Sequence, residues 1–267
     1  MKIQVGYEMV YGFAQATPMV LMLHVHDSRA ADMEVPDDLI TDPPVALSEY
    51  RDSFGNRCTR LVAPAGRITI WSRGLIRDSG ELEVPVTTAE QHPVQDLPEE
   101  TLVFLLGSRY CETELLSQTA WNLFGNVTPG WARVQAICDF VHQRIAFSYQ
   151  NARSTRTAWE TYNEGTGVCR DFTHLAVTLC RCMNIPARYC TGYLGDMGTP
   201  PPYGAMDFAA CFEAYIGGAW RTFDPRNNVP RIGRTLIARG RDAADVAIAT
   251  SFGPHSLERF TVYADEI

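Results

Sequence analysis

Gly165-Thr166-Gly167-Val168-Cys169-Arg170-Asp171-Phe172-Thr173-His174 decides how the rest of the chain is read, because a glycine-punctuated turn here delivers a cysteine to the start of an apolar-periodic run. From Phe172 the apolar positions fall at Leu175, Ala176, Leu179 and Met183, the three-and-four spacing that buries one face of a helix. Asn184-Ile185-Pro186 stops the run, since proline offers no donor and biases its predecessor out of the helical region. Cys169 is therefore expected in the first turn, where unpaired backbone N–H groups and the positive end of the helix dipole favour a thiolate over a thiol. That makes it a candidate nucleophile. The competing reading is a small buried thiol packed under a turn.

Outside this stretch, size and charge bound the possibilities. A chain of 267 residues can bury a substantial core and is read as two domains, 1–95 and 96–267. Its 23 basic and 31 acidic residues leave a formal charge of −8, which repels phosphate backbones and argues against nucleic acid as a partner. Met1-Lys2-Ile3-Gln4-Val5 carries one cation but opens no apolar core of signal-peptide length, and no later segment approaches a bilayer-spanning run. A cytoplasmic protein without membrane contact is expected. The eight cysteines, Cys58, Cys111, Cys138, Cys169, Cys180, Cys182, Cys190 and Cys211, lack paired knuckle spacing and are expected to be reduced. Cys180 and Cys182 point about 200° apart on a helix, so no shared metal is expected there.

Residues 1–95 read as strands. Ile3, Val5, Tyr7, Met9 and Tyr11 alternate with polar or small neighbours, Val20 to His26 forms a second extended run, and Arg67 to Trp71 adds another. No helix-length periodicity interrupts them, so an antiparallel β-sandwich is expected. His24 and His26 share a strand face and could chelate a metal; with no third ligand nearby, packing is the expected role, and no cofactor or metal site is predicted. Val86 to Glu100, with Pro93 and Pro98, reads as a linker. Helices are then predicted at about 111–124, 131–145 and 157–163.

Beyond Pro186 a strand is predicted over 187–193, followed by a Gly- and Pro-rich loop over 195–204. Phe208 to Ile216 and Ala219 to Asp224 then form a hairpin across Gly217-Gly218, a strong two-residue turn. In that register Cys211 faces Asp224, and Ala209, Cys211 and Asp224 share one face. Ala209 and Asp224 are diagonal neighbours, a geometry suited to a His–Asp pair of which the sequence supplies only the acid. Ser251 to Ile267 reads as a final strand returning to the sheet, while 231–249 gives no clear assignment.

Gly167-Val168-Cys169-Arg170-Asp171-Phe172-Thr173-His174, Ile185-Pro186-Ala187-Arg188-Tyr189, Phe212-Glu213-Ala214-Tyr215, Trp220 and Phe223-Asp224-Pro225 together resemble the bacterial transglutaminase-like family of cysteine proteases. The resemblance covers about residues 98–267, and the preceding residues are similar to the β-rich domain that often accompanies that core. It implies an α+β fold: an N-terminal antiparallel β-sandwich followed by a papain-like core of helices packed on an antiparallel sheet. It also implies that Cys169 is the nucleophile and Asp224 the acid that orients the base. The base itself departs from the pattern. Where the family usually places His followed by Ala-Trp, this chain has Ala209-Ala210-Cys211.

A methyl group can neither take the thiol proton nor return it to a leaving amine. His174, five positions after Cys169, lies about 140° around the helix from it and is expected to be structural. His24, His26 and His255 are distant in sequence and stay open as replacements, and Cys211 is read either as a partner for Cys169 or as packing. Two functions follow. One is thiol acyl transfer at a peptide or glutaminyl amide by Cys169; the other is a catalytically silent member whose cleft binds a peptide or protein. A site built from cysteines and histidines around a metal is a third, weaker reading.

Overall fold

The computed structural model describes residues 1–201, 204 and 206–267. Pro202 and Tyr203, at the end of the loop expected over 195–204, and Ala205 lie outside the described residues. The N-terminal part forms β1 (Lys2–Phe13), β2 (Thr17–Leu21), β3 (Met33–Val35), β4 (Ile40–Asp42), β5 (Ser48–Arg51), β6 (Arg57–Ala63) and β7 (Gly66–Arg77), with alternating burial along β2, β6 and β7. Helices then enter: α1 (Glu99–Leu102), α2 (Thr113–Phe124), α3 (Trp131–Arg144), β8 (Ala146–Phe147), α4 (Ala158–Glu164), β9 (Thr166–Gly167) and α5 (Cys169–Cys182). The chain finishes with β10 (Ala187–Tyr193), β11 (Ala209–Ile216), β12 (Ala219–Phe223), β13 (Thr235–Gly240), β14 (Ala249–Ser251) and β15 (His255–Glu266).

Two antiparallel sheets make the front sandwich. One runs β15-β1-β7-β3, with β4 also on β7; the other runs β14-β2-β6-β5. Ile3, Val5, Tyr7, Met19, Leu21, Leu61, Ile68 and Ile70 fill the space between them. The extended run expected through His26 stops earlier, because β2 ends at Leu21 where its pairing with β6 and β14 ends. His24 and His26 lie beyond it and are buried, His24 against Thr59 of β6 and His26 with its backbone N–H on the Leu236 carbonyl of β13. The last strand returns to this sandwich: β15 pairs with β1 from Ile3 opposite Glu266 to Phe13 opposite His255. Both ends of the chain therefore share one sheet, across the boundary that composition suggested near residue 95.

The central sheet, β12-β11-β10-β13, is antiparallel throughout. α5 lies on it, and Phe172, Leu175, Ala176 and Leu179 meet Phe212, Ala214, Ile216 and Phe223 in a second core closed by α2 and α3. β13 emerges from the stretch that the sequence left unassigned. It approaches β10 so closely at Gly192 that a Cβ there would stand 2.1 Å from the Thr235 carbonyl oxygen. Among the described residues no helix is long and apolar enough to cross a membrane.

Arg181, in the last turn of α5, ties helix to sheet. Its guanidinium donates to the carbonyl of Ala187 at 2.9 and 3.0 Å, of Leu106 at 3.0 Å and of Arg241 at 2.5 Å, and to Ser108 Oγ at 3.0 Å. Removing it strands several buried acceptors at once. We expect Arg181→Met to lower stability by about 3 kcal/mol or more, read as a fall in Tm of roughly 6–12 °C by calorimetry.

Candidate active site

The cysteine turn is held by a carboxylate. Asp171 is fully buried and accepts the Val168 N–H at 2.9 Å, so the first turn of α5 is fixed by its own third residue. Arg156 Nη1 and Arg170 Nη2 each donate to the same carboxylate at 3.2 Å. Gly167 makes room for it, since a Cβ at that position would sit 2.6 Å from the Asp171 Cβ. Arg170 also donates to the carbonyls of Ser154 and Arg153, each at 2.7 Å, strapping the preceding loop against the turn.

Cys169 is the first residue of α5; the residue is partly exposed, but its thiol is turned inward and buried. It lines a cavity of about 130 Å³ together with Phe147, Tyr149, Asp207, Ala209 and Arg226. A larger cleft of about 490 Å³, walled by Tyr11, Tyr189, Leu257 and Phe260, also reaches Cys169 and Asp207. The front sandwich and the helical core build that cleft jointly. The thiol donates weakly to the Phe208 carbonyl oxygen at 4.0 Å, and the Ala210 N–H points at the sulfur.

The expectation of an easily ionised thiol is overturned. Burial pushes the Cys169 thiol up to about 11, against the help of the Ala210 N–H; the Asp207 and Asp224 carboxylates add to the rise and Arg226 opposes it. Asp207, which the sequence did not single out, is itself pushed up by burial, while its bond from the Phe208 N–H pulls the other way.

The hairpin has the expected register, with Ile216 opposite Ala219 and Tyr215 opposite Trp220. Its ladder closes at Phe212 opposite Phe223, so Asp224 stands one residue beyond the end. There it accepts the N–H groups of Arg226 at 3.1 Å and Asn227 at 3.0 Å, the Asn227 Nδ2 at 2.7 Å and Arg234 Nη2 at 2.9 Å. Burial alone would raise the Asp224 carboxyl, but the Arg234 guanidinium and the Asn227 bonds hold it below the usual carboxylate range. Arg234 is held from its other side by Glu83 at 2.7 Å. Cys169 and Ala209 thus share a cavity, whereas Asp224 borders a different cleft beside Trp131 and Gln135.

Each of the six histidines is engaged elsewhere. His24 pairs with Thr59 Oγ, His26 Nδ1 accepts the Ser28 N–H, His92 accepts the Gly218 N–H, and His255 meets Ser251 Oγ. His142 Nδ1 donates to the Pro225 and Arg226 carbonyls. His174 is fully buried between the rings of Tyr110 and Tyr189, each 5.0 Å away, and accepts the Ala243 N–H at 3.1 Å; burial pushes it well below the usual imidazole range. No imidazole nitrogen among the described residues bonds the Cys169 sulfur. Cys211 does not meet it either, because its strand partner is Cys190. Nor do the described residues hold a cluster of three or more His, Cys, Asp or Glu arranged for a metal.

Comparisons place this geometry among known proteins. The family model of the transglutaminase-like superfamily matches residues 117–225, from within α2 to just past Asp224. A "putative cysteine protease" from Cytophaga hutchinsonii, known from its crystal structure, is 34% identical with a TM-score of 0.85, over 99% of this chain and 90% of that one. Uncharacterized protein ML0607 of Mycobacterium leprae (strain TN) is 37% identical over 84 residues, 30% of this chain and 30% of that protein.

The Asp224 cluster has a pH signature. A carboxyl held below its unfolded value of about 3.9 contributes stability that is complete above that pH and is lost as pH falls through the lower folded value. Asp224→Asn should therefore be less stable than the parent at pH 7, and the gap should narrow below about pH 4. Urea midpoints at pH 7 and pH 3 check this.

Proposed function

The chain belongs to the transglutaminase-like superfamily, and from that membership we propose that it holds an extended peptide or protein segment over the Cys169 thiol without turning it over at an enzymatic rate. One observation carries the reading. The residue that the start of β11 offers to the Cys169 cavity is Ala209, a methyl group where the resemblance implies an imidazole.

Acyl transfer from an amide needs a base that removes the thiol proton and then returns it to the departing amine. With the thiol pushed up to about 11 and no imidazole at hand, attack on a peptide or glutaminyl carbonyl starts from the protonated sulfur. What persists is the cleft and the backbone N–H of Cys169 as an oxyanion donor, the parts that give residual rather than full rates when one member of a catalytic unit is lost. The larger cleft has apolar and aromatic walls with Arg170 and Asp207 on its edge, a lining suited to a segment whose apolar side chain enters while its backbone stays polar. The net charge of −8 disfavours nucleic acid, and eight free thiols suit a reducing cytoplasm.

A second reading, thiol acyl transfer with Cys169 as nucleophile, is favoured by Asp207. Its carboxyl lines both openings at the thiol and is raised by burial, so it can carry a proton toward a leaving amine. It stands second because a carboxylate remains a far weaker base than the thiolate it would have to generate.

Two measurements separate the readings. Alkylation of Cys169 by iodoacetamide, followed by peptide mass spectrometry, should climb about tenfold per pH unit from pH 7 toward an inflection near 11; a plateau already reached at pH 6 would overturn the silent reading. Ala209→His should gain amide hydrolysis that Cys169→Ala abolishes, while the parent stays at the Cys169→Ala level. Robust parent turnover that falls in Asp207→Asn would establish the enzyme instead.

A further inference from the structure

A separate cavity of about 210 Å³ opens along β10 and β11, lined by Cys190, Cys211, Glu213, Ala209 and Arg234. Alternation sets its place: Phe212, Ala214 and Ile216 of β11 point into the core under α5, so Cys211 and Glu213 face the other way. Cys190 and Cys211 are direct partners in the β10–β11 ladder, and their thiols leave it on the same side. Directly opposed antiparallel residues have Cα atoms about 4.5 or 5.5 Å apart, both inside the roughly 4.4–6.8 Å that a disulfide spans. Both are free thiols here, and neither lines the openings at Cys169. Arg234 lines the same cavity and sets a guanidinium beside the pair.

We propose that Cys190 and Cys211 form an oxidisable dithiol site that a small hydroperoxide closes into a cross-strand disulfide. The Cys211 sulfur attacks one oxygen of hydrogen peroxide as its own proton passes to the departing oxygen; the O–O bond breaks, and the products are a Cys211 sulfenic acid and one water. The Cys190 sulfur then attacks Cys211, the S–O bond breaks, and the hydroxide leaves as a second water with the Cys190 proton. Two electrons pass from the two sulfurs to the peroxide, so the step needs no further reagent. A cavity of about 210 Å³ has room for hydrogen peroxide beside the two sulfurs. Closure joins β10 to β11 next to Ala209 without consuming Cys169.

The test treats the full chain carrying Cys169→Ser with hydrogen peroxide and reads intact mass and peptide maps. The expected result is a loss of two hydrogens, about 2 Da, a cross-linked pair of peptides holding positions 190 and 211, and full reversal by dithiothreitol. Cys190→Ala and Cys211→Ala should each abolish the cross-link while their circular dichroism spectra match the parent. A chain that gains oxygen at Cys211 with no cross-link, or that forms its disulfide between other cysteines, overturns the proposal. So does a chain whose two thiols stay unmodified when peroxide oxidises an exposed control thiol in the same solution.

Discussion

The buried carboxylate of Asp171 is the constraint on which the rest depends. A carboxyl group without access to water is tolerated only when donors meet it, and here one backbone N–H and two guanidinium groups do so. Those donors come from the turn, from the loop before α4 and from α5 itself, so satisfying one charge fixes three segments. The position of Cys169 follows from that arrangement, and the absence of a side chain at Gly167 is what lets it close.

The same site shows how two electrostatic effects compete. The end of a helix is worth about 0.3–1 kcal/mol to a nearby anion, up to about 2 in partly buried settings. Withdrawing a thiolate from water costs more, with shifts of up to 3–5 pKa units for fully buried groups. At Cys169 burial wins, and the neighbouring carboxylates of Asp207 and Asp224 add to it. Asp224 is governed by the opposite balance, since Arg234 and Asn227 supply it with donors from close range. None of those donors comes from residue 209, so the carboxylate is anchored independently of that position.

The front sandwich is more than an appendage to the helical core. Because β15 adds to β1, Leu257 and Phe260 stand beside Tyr11 at the wall of the cleft that leads to Cys169. The opening at the thiol therefore takes its shape from residues more than 240 positions apart in the chain.

Periodicity alone determined the elements that matter most: α5 from its three-and-four spacing, β1 from its alternation, and the β11–β12 hairpin from Gly217-Gly218, where the turn fixes the register. That residue 209 is alanine was equally legible, because the identity of a residue is local information. Only the tertiary structure decided which side chains meet across long separations. Arg234 on Asp224, Asp207 at the thiol, Cys190 opposite Cys211 and β15 on β1 carry no signal in their own neighbourhoods. The charge state of Cys169 belongs with them: a helix terminus can be read from a sequence, but the burial that overrides it is a property of everything packed around the sulfur.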